Sequence, residues 1–189
     1  MDLDVGVIYG SIREGRTCDL VARWTVDQLE QTGTFKPQVI DPAELDLPIS
    51  QGRDKHPAVT ELTAMLARCD AFVIVTPEYN HSFPAAVKMV VDHAYTEWQA
   101  KPVGFVSYGG VSGGLRAVEQ LRLVFAELSA VTTRTTVGLP QVWTQFDSEG
   151  KLLKPAPFER AMKQMLKELE WWGRVLKAGR EGRPYAAVA

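Results

Sequence analysis

The segment Ala71-Phe72-Val73-Ile74-Val75-Thr76 is a short and continuously apolar run near the middle of the chain. A strand of this composition has no polar face to present to water, so other parts of the chain must cover both of its faces. Such a strand is typical of the centre of a parallel sheet that has helices packed on both sides. The segment therefore predicts an α/β fold, and the flanking sequence can be arranged around it.

Strands and helices alternate along the rest of the chain. Short apolar or β-branched runs predict strands, and apolar residues that recur at helical spacing predict helices. This alternation indicates a doubly wound sheet of five parallel strands, with right-handed crossovers and helices on both faces. The predicted strands cover residues 5–9, 35–40, 71–76, 103–107 and 131–137, and the predicted helices cover residues 16–31, 57–68, 84–95, 115–128 and 158–176.

The composition is that of an ordinary globular protein. The chain has 189 residues, of which 46% are apolar and 23% charged, and its net charge of -2 shows no basic excess of the kind that binds nucleic acid. We expect a domain over residues 1–178, a flexible tail over residues 179–189, and no membrane span, because no apolar run approaches the ~20 residues that a span needs. Two cysteines are too few for a disulfide framework, and the N-terminus lacks the features of a signal peptide, so we expect a cytoplasmic location.

Three unusual loops follow the first, third and fourth predicted strands, at residues 10–17, 77–84 and 107–114. In a parallel sheet of this kind, ligands bind outside the carboxyl ends of the strands. The fold prediction brings these distant segments to the same edge of the sheet. Their convergence is the strongest indication of a binding site in the sequence.

The first loop, Gly10-Ser11-Ile12-Arg13-Glu14-Gly15-Arg16-Thr17, has the features of an anion site. Backbone N–H groups at the start of a helix attract negative charge, and the helix dipole adds to that attraction. The hydroxyls of Ser11 and Thr17 and the guanidinium groups of Arg13 and Arg16 supply further donors for a phosphate. The alternative is an ordinary strand-to-helix turn with solvated arginines.

The spacing of this loop nearly matches the P-loop of nucleoside-triphosphatases, with Arg16 at the lysine position and Thr17 at the hydroxyl position. Those enzymes also need a carboxylate that binds magnesium, and neither the third nor the fourth predicted strand ends in one. A nucleotidase is therefore disfavoured. The sequence also lacks G-x-G-x-x-G, which disfavours dinucleotide binding of the Rossmann type.

The second loop, Pro77-Glu78-Tyr79-Asn80-His81-Ser82-Phe83-Pro84, is suited to a flat ring such as isoalloxazine. A proline stiffens each end, aromatic side chains could flank the ring, and Asn80 and backbone amides could hydrogen-bond its edge. His81 could act as a general base. The three histidines of the chain lack the spacing of metal ligands, so we expect no metal site. The alternative is an aromatic loop beneath a subunit contact.

The third loop, Ser107-Tyr108-Gly109-Gly110-Val111-Ser112-Gly113-Gly114, has four glycines in eight residues. Glycines let the backbone come close to a ligand, and free N–H groups here could face the polar edge of a flavin and stabilise negative charge on it. Ser112 also stands where the N-cap of the next helix is expected. The alternative for this loop is a flexible linker.

Taken together, the three loops resemble the NADPH-dependent FMN reductase family, which includes quinone, azo-dye and chromate reductases. The opening Gly10-Ser11-x-Arg13 and the turn Gly109-Gly110-x-x-Gly113-Gly114 match two of the family's motifs. The resemblance covers nearly the whole chain. The most specific match is Pro77-Glu78-Tyr79-Asn80, followed by Ser82, Pro84, Lys88 and Asp92.

The resemblance implies a flavodoxin-like fold with strand order 2-1-3-4-5 and bound flavin mononucleotide (FMN). It assigns the FMN phosphate to the first loop, the isoalloxazine ring to the second and the polar edge of the ring to the third. It also implies that Glu78 serves loop or interface structure. Because the three loops offer backbone donors and aromatic side chains rather than a paired acid and base, we expect the cofactor, and no catalytic side chain, to carry the chemistry. The cofactor-binding residues that we expect are Ser11, Arg13, Arg16, Thr17, Cys18, Pro77, Glu78, Tyr79, Asn80, His81, Ser107, Tyr108, Gly109, Gly110 and Gly113.

By the same resemblance, the protein is an FMN-dependent oxidoreductase that passes hydride from NADPH or NADH to a small acceptor such as a quinone, an azo compound or a flavin. The family forms dimers and tetramers, so we expect a homodimer or homotetramer. Trp98, Trp171 and Trp172 are either core residues or anchors of that interface. The alternatives are a flavodoxin-like electron carrier, which the nearly neutral charge disfavours, and a non-catalytic flavin-binding protein.

Overall fold

A computed structural model describes residues 2–50 and 56–187 of the chain. Within these ranges, no helix combines the length and the apolar character that crossing a membrane requires. The strands are β1 (Leu3–Tyr9), β2 (Phe35–Ile40), β3 (Ala71–Pro77), β4 (Pro102–Tyr108) and β5 (Val131–Leu139). The α-helices are α1 (Cys18–Glu30), α2 (Pro57–Arg68), α3 (Ala85–Asp92), α4 (Leu115–Glu127) and α5 (Ala156–Gly182).

The strands form one parallel sheet in the order β2-β1-β3-β4-β5. This arrangement confirms the predicted fold class and strand order. β3 and β4 are buried along their whole length, as the apolar sequence of residues 71–76 requires. The outer strands β2 and β5 include exposed positions, because each has a neighbouring strand on one side only.

The helices cover both faces of the sheet, with α1 and α5 on one face and α2, α3 and α4 on the other. Successive residues of a strand point to opposite faces. Val73 and Val75 of β3 therefore pack against α1 and α5, while Phe72 and Ile74 pack against the other three helices. The central strands thus hold two separate apolar cores together.

The tryptophans divide between these cores and the surface. Trp98 is fully buried, with its ring centroid 4.7 Å from that of Phe72 and 5.5 Å from that of Phe125. Trp171, by contrast, is 58% exposed on α5. The core interpretation is therefore confirmed for Trp98, and an interface role for Trp171 stays a prediction.

Two element ends differ from the prediction for reasons that the side chains show. α1 begins at Cys18 rather than residue 16, because Arg16 is drawn into hydrogen bonds with Asp41, which follows β2. α3 ends at Asp92 rather than residue 95. The turns that follow α3 carry Trp98 into the core, where its indole N–H donates to the Val91 carbonyl (3.2 Å).

The final helix also continues beyond residue 178, where the sequence analysis ends the domain. α5 runs to Gly182, and the Arg180 guanidinium donates to the Ala100 carbonyl and lies 3.6 Å from the Asp70 carboxylate. The first residues of the predicted tail, 179–182, are therefore helical in the structure, and the flexible character of residues 179–189 stays a prediction. Tyr185–Ala187 forms a short 3-10 turn, and the last two residues of the predicted tail lie outside the described residues.

Deleting residues 179–189 should lower the free energy of unfolding by about 1–2 kcal/mol, because the Ala100 carbonyl and the Asp70 carboxylate each lose a partner. Deleting only residues 184–189 is the matched control, and it should change this free energy by less than about 0.5 kcal/mol. Urea unfolding followed by circular dichroism measures both changes. Equal losses in the two truncated chains would contradict an anchoring role for Arg180.

Candidate active site

The three loops meet at the carboxyl edge of the sheet, where they border a cleft of about 320 Å³. A fourth segment, which follows β5, completes its wall. The lining combines charged and hydroxyl side chains at the start of α1 with aromatic rings and glycine backbone farther along. The residues that line the cleft are Arg13, Glu14, Gly15, Arg16, Thr17, Pro77, Glu78, Tyr79, Tyr108, Gly109, Gly110, Val142 and Trp143.

The first loop leaves β1 in close contact with β3 before it turns into α1. In this contact the Gly10 N–H donates to the Val75 carbonyl (2.8 Å). Only glycine fits here, because a Cβ at this position would lie 2.6 Å from the same carbonyl oxygen. Thr17 precedes α1 and makes no side-chain cap hydrogen bond. The first N–H groups of α1 are therefore suited to an external acceptor such as an anion.

Arg16 lies at the cleft, but protein groups bind most of its guanidinium. Nη1 donates to the Ser11 carbonyl (2.6 Å), Nη1 and Nη2 donate to the Asp41 carboxylate, and Nε donates to Asp19 (2.7 Å). The hydrogen bonds with Asp41 hold the pKa of Arg16 above its ordinary value. The sequence predicts that Arg16 binds a phosphate, whereas four of its five N–H donors brace the first loop internally.

Tyr79 links the first loop to the second. Its hydroxyl lies 2.8 Å from the hydroxyl of Ser11, which is fully buried. The Arg13 guanidinium lies over the Tyr79 ring at 3.6 Å from the centroid, a cation–π contact. Arg13 is exposed, so its charge remains at the surface of the cleft.

A tight turn at residues 79–82 shapes the second loop. Tyr79 and Ser82 exchange backbone hydrogen bonds of 2.9 and 3.0 Å, and the two central residues, Asn80 and His81, have φ values of 50° and 72°. Turns of this left-handed kind favour asparagine. Gln120 of α4 fixes the turn by donating to the His81 carbonyl (2.8 Å) and accepting from the Ser82 hydroxyl (2.6 Å).

Glu78 joins the second loop to the third through a buried carboxylate. The carboxylate accepts hydrogen bonds from the Ser112 hydroxyl (2.7 Å) and the Arg116 N–H (3.1 Å), and it pairs with the Arg116 guanidinium at 2.5 Å. Burial alone would raise the pKa of Glu78, but these contacts outweigh burial and hold its pKa below the ordinary value. The negative charge of Glu78 is therefore part of the loop's structure.

The third loop is held mainly by its own backbone and by β5. Ser107 donates its hydroxyl to the Gly113 carbonyl (2.8 Å), and the Gly109 N–H donates to the Leu139 carbonyl (3.2 Å). Ser112 accepts the N–H of Gly114 (3.3 Å), but the N-cap position of α4 belongs to Gly114 itself. The expected free N–H at Gly109 is thus used internally.

The fourth segment, at residues 140–143, is not among the loops that the sequence predicts for the site. The N–H groups of Gln141 and Val142 donate to the carbonyls of Gly110 (2.9 Å) and Gly109 (3.1 Å), which clamps this segment onto the third loop. Trp143 is 67% exposed, and its ring lies 3.8 Å from the position of a Cβ on Gly110. The feature of the sequence that could have indicated this segment is Trp143, an aromatic residue within the largely polar connection that follows β5.

The predicted site residues fall into two groups, those that line the cleft and those that support its walls. Cys18 illustrates the second group. Its buried thiol donates to the Val75 carbonyl (3.7 Å), and burial raises its pKa, so the side chain faces the core. Of the predicted residues, all of which the structure describes, those that do not line the cleft are Ser11, Cys18, Asn80, His81, Ser107 and Gly113.

A second, larger groove of about 570 Å³ lies between the end of α1 and α5, beside the start of β2. Long polar side chains dominate its lining, among them Gln28, Lys163 and Glu170. In open α/β sheets, ligands bind outside the carboxyl ends of the strands. We therefore assign the candidate site to the smaller cleft.

Glu78→Gln should lower the free energy of unfolding by about 1–3 kcal/mol at pH 7, because Ser112 and Arg116 lose a buried charged acceptor. A carboxylate with a lowered pKa contributes its full stability above the ordinary pKa and loses it as the pH falls through the folded-state pKa. The difference from wild type should therefore be complete well above the ordinary glutamate pKa of about 4.3 and shrink as the pH falls through and below it. Urea unfolding at a series of pH values measures it.

The matched control is Glu119→Gln, which removes a carboxylate that is 76% exposed and pairs with Arg122 on α4 at 3.2 Å. Such an exposed pair contributes about 0–1 kcal/mol. We expect the control to change stability by less than about 0.5 kcal/mol at every pH. Equal effects of the two substitutions at pH 7 would contradict the structural role of Glu78.

Comparisons with known proteins place the chain among flavin reductases. The family model of the NADPH-dependent FMN reductases matches residues 3–144. An NAD(P)H-dependent FMN reductase of Schizosaccharomyces pombe is 34% identical over 148 residues, which are 71% of this chain and 72% of that protein. The NAD(P)H-dependent FMN reductase LOT6 of Saccharomyces cerevisiae is 35% identical over 140 residues, 65% of this chain and 73% of that protein.

Among solved structures, the flavoenzyme NAD(P)H:(acceptor) oxidoreductase FerB of Paracoccus denitrificans matches with a TM-score of 0.75 at 20% identity, over 91% of this chain and 98% of that one. At this identity the likeness supports the fold alone. The family match, however, runs from β1 through Trp143, and so it includes every segment that borders the cleft. The chain therefore belongs to the NADPH-dependent FMN reductase family.

Proposed function

We propose that this member of the family is an FMN-dependent oxidoreductase that takes hydride from NADPH or NADH and passes electrons to a small acceptor. The observation that carries the proposal is the cleft, whose lining combines the donor-rich start of α1 with aromatic side chains and glycine backbone. FMN has the complementary shape, a phosphate at one end and a planar ring at the other. Both yeast relatives are named NAD(P)H-dependent FMN reductases, which supports the same reaction here.

The residues at the α1 end of the cleft fit a phosphate. The start of α1 has no side-chain cap, and Thr17 and Arg13 line the cleft beside it. Arg16 pairs with Asp19 and Asp41, which offsets the repulsion that these carboxylates would exert on an anion. We assign the phosphate of FMN to this end.

The other end of the cleft fits a planar ring. Gly109 and Gly110 contribute backbone only, and Trp143 contributes aromatic surface beside Gly110. Tyr79, whose ring lies beneath the Arg13 guanidinium, joins this wall to the first loop. When bound, FMN supplies the redox chemistry, because it accepts hydride from a nicotinamide and gives up electrons to an acceptor. The chain's own contribution is to bind and orient the ring and to leave an open approach beside the exposed Trp143.

Acid–base catalysis by Glu78 does not fit the geometry. Its carboxylate is 5% exposed and already pairs with Ser112 and Arg116. Its lowered pKa keeps it charged at neutral pH. We therefore propose that positioning and electrostatics are what the protein adds to the reaction, and that no side chain carries an obligatory proton transfer.

The proposal also covers the class of electron acceptor and the assembly of subunits. A quinone, an azo compound or a free flavin would suit an open cleft with an aromatic rim. A flavodoxin-like carrier is the second candidate, but such carriers are typically strongly acidic around the flavin, whereas Arg13 and Arg16 line this cleft. We further propose a cytoplasmic homodimer or homotetramer, in which the exposed Trp171 is a candidate contact.

Purified protein reconstituted with FMN should lose its yellow absorbance when NADPH or NADH is added without oxygen, because the ring accepts hydride. A small quinone should then restore the colour. Protein that holds FMN but stays yellow after both nicotinamides would contradict the reductase. Recovery of colour only with a second protein would favour the electron carrier.

Arg13→Ala should weaken FMN binding by about 1–3 kcal/mol, the scale of one charge-assisted hydrogen bond. Riboflavin, which lacks the phosphate, should bind both proteins alike. Arg23→Ala, at an exposed position farther along α1, is the control and should leave FMN affinity unchanged. Fluorescence titration measures the binding of FMN and riboflavin by wild type and both variants. An unchanged FMN affinity in Arg13→Ala would remove Arg13 from the phosphate site.

A further inference from the structure

Tyr108, the last residue of β4, carries a buried hydroxyl without a partner. The residue is 4% exposed, and in the described part of the chain its Oη is the buried side-chain polar atom that lacks a hydrogen bond. Leaving such a group unsatisfied costs about 1–3 kcal/mol. Because buried polar groups are nearly always paired, an unpaired one at a binding cleft points to a ligand that pairs with it.

The hydroxyl lies at the start of α1. Tyr108 shares the apolar core beneath α1 and also lines the cleft. Its hydroxyl is beside the thiol of Cys18, the first residue of α1, and the two groups affect each other's pKa as weak hydrogen-bond partners would, but their contact does not meet hydrogen-bond geometry. The Cys18 thiol donates to the Val75 carbonyl, and a thiol sulfur is only a weak acceptor.

Donors dominate this end of the cleft. The first N–H groups of α1, the Thr17 hydroxyl and the Arg13 guanidinium can each donate a hydrogen bond to a ligand, and Glu14 is the exposed carboxylate among them. Burial, followed by the neighbouring Cys18 thiol, raises the pKa of Tyr108, so its hydroxyl stays protonated and adds one more donor. Such a set matches a ligand that brings several acceptor oxygens and negative charge, which is the chemistry of a phosphate monoester.

We propose that the Tyr108 hydroxyl donates a hydrogen bond to the phosphate of FMN, and that Tyr108 is a positioning residue for the cofactor. This inference rests on the proposed function. It assigns to the third loop a phosphate contact, whereas the sequence resemblance assigns that loop to the polar edge of the ring. It also explains why the chain keeps a destabilising hydroxyl in its core, since the ligand satisfies it.

Tyr108→Phe removes the hydroxyl and keeps the ring. It should preserve or raise the thermal stability of the FMN-free protein while weakening its affinity for FMN. Without FMN, the variant should unfold at the same or a higher temperature than wild type, because an unsatisfied polar atom is gone. The Kd for FMN should rise at least about tenfold, the scale of a hydrogen bond to a charged group. The Kd for riboflavin should not change. Differential scanning fluorimetry and fluorescence titration supply the readouts.

Tyr95→Phe is the matched control, because Tyr95 is 61% exposed after the end of α3, and it should alter neither property. An unchanged Kd for FMN in Tyr108→Phe, or an equal loss for FMN and riboflavin, would overturn the phosphate contact. A less stable or unfolded variant would also overturn it, because the hydroxyl would then have a structural partner. Wild-type protein that binds no FMN would instead refute the proposed function, and this inference with it.

Discussion

The burial of β3 on both faces is the constraint on which the rest of the structure depends. Ala71 to Val75 are all fully buried, so helices must lie on both sides of the sheet and β3 must lie inside it. Parallel neighbours then end at the same edge, which places the loops after β1, β3 and β4 side by side. The cleft is thus a consequence of how the apolar core is built.

Most polar side chains near the cleft form hydrogen bonds within its walls. Contacts with a ligand therefore fall mainly to backbone groups and to a few exposed side chains. Arg16 braces the first loop against Asp41, and Glu78 ties the second loop to Ser112 and Arg116. Backbone hydrogen bonds with Leu139, Gln141 and Val142 hold Gly109 and Gly110 in place. Rigid walls of this kind lower the cost of ordering a ligand site, which suits a cofactor that carries its own chemistry.

The local sequence pattern was enough to predict the strands and the three loops, because apolar runs and glycine-rich turns form structures that depend mainly on neighbouring residues in the chain. It was not enough for pairings that depend on the folded sheet. Arg16 meets Asp41 at a separation of 25 residues, a partnership set by the alignment of β1 with β2. Trp143 reaches the cleft because the segment after β5 folds back onto Gly110, and the hydroxyl of Tyr108 is seen to be unpaired only once the core is assembled.

Hydrogen–deuterium exchange of the FMN-free protein, measured with and without added FMN, tests most directly whether these segments form one cofactor site. If these segments form one cofactor site, FMN should slow exchange in residues 10–19, 77–82, 107–114 and 140–143 and leave it unchanged around Gln28 and Lys163 in the groove between α1 and α5. Protection confined to that groove, or no protection at saturating FMN, would contradict this prediction.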